Sequence, residues 1–137
     1  MNLRTTQWVM LACVLVAPVA NAQTLTGSKA QKSPQADAFL AYEKALLAGG
    51  LEAATPTMTA DKVADLKSMI QAFGDEGFKQ FLDRMREGAQ GEARRKQIEK
   101  VEVKGDRAVL QARDNPNAVT EQHLIKTKEG WKVDVKR

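Results

Sequence analysis

The chain has 137 residues, 21 basic against 17 acidic side chains and a single cysteine, Cys13. That length fits one domain, burying roughly two thirds of its unfolded surface, and its modest surplus of positive charge favours anionic partners only slightly. One cysteine excludes an internal disulfide framework and a multi-thiolate metal site.

In chain order, Arg4 supplies a positive start, Trp8 to Ala20 form an apolar run, and Ala20-Asn21-Ala22 closes it with small residues at the two positions a signal peptidase reads. This pattern predicts a bacterial secretory signal peptide over residues 1–22, cut between Ala22 and Gln23. The apolar run falls short of the roughly 20 residues a bilayer-spanning helix needs, and no later stretch approaches that length, so no membrane span is expected. Met10-Leu11-Ala12-Cys13 loosely resembles a lipobox. Methionine stands there in place of the usual leucine, and that cut would strand Val14 to Ala20 on the mature chain, so a lipoprotein acylated at Cys13 is disfavoured. Removal of the leader takes Arg4 and Cys13 with it, leaving 115 residues, 20 basic and 17 acidic. The expected location is the periplasm or the medium, and a thiol-free chain there is held by its core alone.

Residues 23–33 are polar around one leucine and predict a flexible tether, followed by one folded domain over residues 34–137. Ser33-Pro34 opens the first helix, since serine caps orphan amides and proline needs no donor at the first helical position. Phe39, Tyr42 or Glu43, and Leu46 recur at helical spacing, and Gly49-Gly50 supplies a left-handed stop. Thr59 caps a second helix, with Val63, Leu66, Met69, Ile70 and Phe73 as its stripe and Gly74 as its end. Asp75 starts a third, with Phe78, Phe81, Leu82 and Met85 inward and Gly88 at its end. Gly88 to Gly91 is a break, and Glu92 to Lys96 a charged lead-in.

The period then changes to two. Val101 and Val103 alternate with Lys100, Glu102 and Lys104; Gly105-Asp106, Asp114-Asn115-Pro116-Asn117 and Glu129-Gly130 are turns; Ala108 to Arg113, Thr120 to Lys128 and the segment from Trp131 are further strands. The expected class is α+β, with three N-terminal helices packed on a four-stranded antiparallel meander. Trp131, facing inward on the last strand, is expected to cost about 3–5 kcal/mol when truncated to alanine.

Three passages carry a family likeness: Phe39 to Ala54 (FLAYEKALLAGGLEAA), Val101 to Val109 (VEVKGDRAV) and Glu129 to Asp134 (EGWKVD). Together with the element order they resemble the NTF2-like (SnoaL-like, cystatin-like) superfamily, closest to its small secreted domains of the DUF4878 and lumazine-binding-like kind. Gly50 stands where that pattern has aspartate. The likeness covers roughly Pro34 to Arg137 and implies an NTF2-like cone. It implies no activity, because the superfamily includes isomerases, dehydratases, small-molecule binders, secretion-system parts and toxin-neutralising proteins.

Candidate chemistry is sparse. His123 is the one histidine; as a general base it wants an orienting carboxylate, and Glu121 lies two residues away on the same strand face. The competing reading is a half-exposed strand histidine. Asp61 and Asp65, one helical turn apart, read as helix N-terminal acids rather than a proton-sharing pair. Asp114 to Asn117 lacks the glycine and the glutamate of a calcium loop. There is no phosphate loop and no nucleophile elbow, and no metal site or cofactor is expected. Lys126, Lys128, Lys132, Lys136, Arg94, Arg95 and Lys96 read as a solvated basic surface with Glu102, Glu129 and Asp134 interleaved; without an aromatic platform, no nucleic acid partner is expected. Phe39, Tyr42, Met69, Phe73, Phe78, Phe81 and Met85 are core, with Tyr42, the one bearing a polar tip, as the candidate pocket residue beside His123.

These readings favour an exported, non-catalytic binding protein engaging a protein partner or a small apolar ligand. One alternative is an immunity protein neutralising a toxin that acts in the periplasm. The other is a small isomerase or hydrolase, which requires His123, Glu121 and Tyr42 to converge on one cavity. Oligomeric state and ligand identity are not specified by the sequence.

Overall fold

The structure, a computed structural model, describes residues 22–137; residues 1–21, which carry nearly all of the leader pattern, lie outside the described residues. The elements in order are β1 (Ala22–Thr26), α1 (Gly27–Gln31), α2 (Pro34–Ala54), a 3-10 turn (Thr55–Thr57), α3 (Ala60–Glu87), α4 (Gly91–Lys96), β2 (Ile98–Lys104), β3 (Arg107–Asn115), β4 (Ala118–Thr127) and β5 (Gly130–Asp134). The strands form one antiparallel sheet in sequence order, β1 to β5, so the class is α+β.

The starts of α2 and α3 follow from their caps. The Ser33 hydroxyl accepts from the Ala36 amide at 3.1 Å and donates to the Ala30 carbonyl at 2.7 Å; the Thr59 hydroxyl accepts from the Lys62 amide at 3.2 Å. The glycine stops are breaks within longer helices. Gly50 (φ 70°) interrupts α2 and Gly74 (φ 76°) interrupts α3, each in a left-handed conformation that a side chain resists. The second and third expected helices are the two halves of α3. Ser33→Ala is expected to cost about 1–2 kcal/mol, read as a lower urea midpoint at unchanged slope.

Two expectations are corrected. The sheet has five strands rather than four, and residues 23–33 are structured. β1 pairs with β2 in register Leu25↔Val101, and α1 buries Ala30 completely. The polar composition of this segment concealed the pairing because an edge strand needs few apolar side chains: its backbone hydrogen bonds supply the order, and here Leu25 alone reaches the core. The charged lead-in is likewise the helix α4.

The core is one cluster between α2 and the inner sheet face. Phe39, Tyr42 and Leu46 from α2 meet Ile98, Val101, Leu110, Leu124 and Val133. The register lines up Val103, Ala108, Leu124 and Val133 across four strands, so the period of two places one apolar row against the helix. Val133 is fully buried, whereas Trp131 is half-buried at the edge of the cluster. Truncating Trp131 therefore costs less than the 3–5 kcal/mol expected of a fully enclosed aromatic. No described helix is long and apolar enough to cross a membrane.

Candidate functional site

Two irregularities shape one end of the sheet. The β2–β3 register shifts between Ile98 and Lys100, and the β3–β4 register between Arg113 and Asn115. Each leaves one extra residue, Glu99 and Asp114, and such bulges re-aim side chains. Glu99 pairs with Arg113. Asp114 turns instead toward α4 and meets Arg94.

Arg94 is a buried guanidinium, 8% exposed. Its Nε and Nη2 donate to the two carboxylate oxygens of Glu43 at 2.9 and 3.1 Å, a bidentate fork. Its Nη1 donates to Asp114 Oδ1 at 2.6 Å and to Gln97 Oε1 at 2.8 Å. Thr120 Oγ1 donates to the other Asp114 oxygen at 2.6 Å. The guanidinium also lies over the Phe39 ring, 5.3 Å from its centroid. Phe39 and Glu43 stand four residues apart on α2, hence on one face, so a single helix supplies both ring and carboxylate. Burial works against the Arg94 charge, and the Glu43 and Asp114 carboxylates more than restore it, holding its pKa above the usual arginine value. Next to it, Arg95 donates to the Gln31 carbonyl at 2.7 Å and to Asp37 at 2.8 Å, tying α4 to α1 and α2.

This network closes one end of an open-sided cleft of about 1340 Å³ bounded by α2, α3, α4 and the β3–β4 end of the sheet. Leu40 and Leu47 from α2 and Leu66, Met69, Phe81 and Met85 from α3 form its apolar walls. Tyr42 lines it, and the Tyr42 hydroxyl makes no hydrogen bond to another described residue. Burial, followed by the charges of Glu43 and Asp65, pushes the Tyr42 phenol up to about 12, so it stays protonated as a neutral donor facing the cleft.

The structure separates the two candidate pocket residues. His123 pairs with Val109 and alternates with Gln122, which lines the cleft, so the imidazole lies on the opposite face of the sheet. Its Nε2 sits 3.5 Å from Glu121 there. Among the described residues, Tyr42 lines the cleft while Glu121 and His123 do not, so the three do not converge on it. Strand alternation is the physical reason: a histidine between the inward-facing Gln122 and Leu124 faces outward.

Asp61 and Asp65 turn to different partners. Asp61 pairs with Arg137 at 2.8 Å and Asp65 with Lys62 at 3.9 Å. Among the described residues no three or more His, Cys, Asp or Glu side chains are grouped to hold a metal ion. Of the basic set, Arg94 belongs to the buried network and not to a solvated surface, while Arg95 pairs with Asp37 and Glu92 at its edge.

Asp134, 3% exposed, is a buried carboxylate away from this network. Burial alone would raise its pKa, but hydrogen bonds from Arg137, the Thr59 hydroxyl and the Val135 amide hold it below the usual range. A depressed folded pKa contributes stability above the unfolded value of about 4, lost as pH falls through the folded pKa. The expected result is a loss of stability below about pH 4 that Asp134→Asn flattens, measured as urea midpoints at a series of acid pH values.

Glu43, Arg94 and Asp114 were missed as a site by sequence reasoning. One signal was present: Glu43 falls in the buried register of the first helix between Phe39 and Leu46, where a carboxylate needs a partner. Nothing local marked Asp114 as a bulge. No family model, curated protein or solved structure matches this chain.

Proposed function

We propose that this chain is an exported binding protein of NTF2-like type, without catalysis of its own, whose cleft takes a small apolar ligand. The observation that carries the reading is the cleft itself: its apolar side chains on α2 and α3 remain only partly covered by the fold, while Tyr42 offers a neutral donor within it. Apolar walls with a polar group placed among them are the usual core of small-molecule sites. Export is supported by the leader pattern of residues 1–22, and the NTF2-like assignment by the three passages and by helices laid over an antiparallel meander.

A neutral solvatochromic dye tests the reading. A saturable blue shift at one dye per chain, abolished by Met69→Lys with Phe81→Lys, is the expected outcome. An unsaturable signal, or one indifferent to those substitutions, would sink it.

A second reading, a protein partner such as the toxin of an immunity pair, is favoured by Phe73. That ring is 71% exposed beside the Gly74 break. Phe73→Ala would then weaken the partner and leave dye binding unchanged, as calorimetry with the purified partner would show.

A further inference from the structure

We propose that the cleft takes a single acyl chain carrying an anionic head, with the chain between the walls of α2 and α3 and the head held at the rim by Lys44 and Arg84. The inference rests on the cleft being a ligand site and adds the chemistry of its ligand. It follows from where charge in the cleft is already neutralised and where it is not.

Five carboxylates line the cleft: Asp37, Glu43, Asp65, Glu92 and Asp114. Each lies 2.6–3.9 Å from Arg94, Arg95 or Lys62. Three cations therefore face five carboxylates, so these clusters are electronegative overall and have no positive charge left to offer. Arg86 is likewise engaged, with Asp83 at 3.0 Å and the Leu47 carbonyl at 2.9 Å. Lys44 and Arg84 are the remaining cations of the lining, and neither makes an ion pair with another described residue. Both are exposed, one on α2 and one on α3, which puts them at the solvent rim. An anionic head is repelled from the carboxylate clusters and attracted to the rim, while an alkyl chain gains by covering Leu40, Leu47, Met69, Phe81 and Met85.

Isothermal titration of the purified protein with decanoate, decanol and decyltrimethylammonium, all below their aggregation thresholds, separates the possibilities. The expected result is one decanoate per chain, bound about tenfold more tightly than decanol, the equivalent of two exposed ion pairs. That margin shrinks as salt is raised. Lys44→Glu with Arg84→Glu removes it and leaves decanol affinity and the thermal midpoint unchanged. Equal affinity for decanol and decanoate, tightest binding of the cation, or a margin that survives the charge reversal overturns the proposal and leaves the cleft reading standing. If none of the three binds, both fall together. Co-sedimentation with phosphatidylglycerol vesicles without decanoate binding would assign the anion to a bilayer surface, and also overturns the proposal.

Discussion

Arg94→Ala is expected to destabilise the protein by about 3–5 kcal/mol, the cost of removing one partner from a buried ionic network. The substitution leaves the half-buried Glu43 carboxylate, and Asp114 beside it, without their shared counter-charge, and also strips the Phe39 ring of the cation over it. Three elements lose their common anchor, since α2 supplies Glu43, β3 supplies Asp114 and α4 supplies Arg94. Urea unfolding read by far-UV circular dichroism gives the number. Arg94→Lys discriminates geometry from charge: a lysine keeps the charge but cannot form the fork on Glu43 while reaching Asp114 and Gln97, so it recovers only part of the loss. A change below 1 kcal/mol for Arg94→Ala would mean that the network is solvated and contributes as little as an exposed pair.

Phe39→Ala is expected to cost a similar 3–5 kcal/mol. The ring is 1% exposed and sits where α2 crosses the inner sheet face, so its removal opens a cavity that Leu46 and Leu110, each fully buried, cannot shift to fill. Against a typical total of about 5–15 kcal/mol, either substitution leaves a marginal fold. Because Phe39 and Arg94 touch, the two losses are not independent: the double substitution is expected to cost about 0.5–2 kcal/mol less than their sum. Strict additivity in that cycle would show that the ring and the guanidinium do not interact.

How much of this was readable along the chain varied with the range of the interaction. The capping roles of Ser33 and Thr59 and the breaks at Gly50 and Gly74 are local, set by a residue and its neighbours within one turn, and they appear where the sequence places them. The strand pattern from Val101 onward was equally plain, since alternation with charged residues is a local property. β1 was not, because its order comes from amides paired with a strand more than 70 residues away, and Gln23, Thr24 and Thr26 advertise none of it. Of the candidate site, Tyr42 was readable from its place in the helical stripe. The half-exposed strand position of His123 was readable too, but which face of the sheet it takes depends on which of its neighbours the sheet buries.

The sequence by itself determined the class of the protein, the periods of its elements and the residues that end them, because steric and hydrogen-bonding preferences act within a few residues. Only the tertiary structure decided that a bulge would swing Asp114 onto Arg94, that Glu43 would leave the apolar stripe to meet it, and that a cleft would remain between α2 and α3. Those outcomes depend on how distant surfaces fit when they close on one another, and that fit is a property of the packed whole rather than of any single stretch.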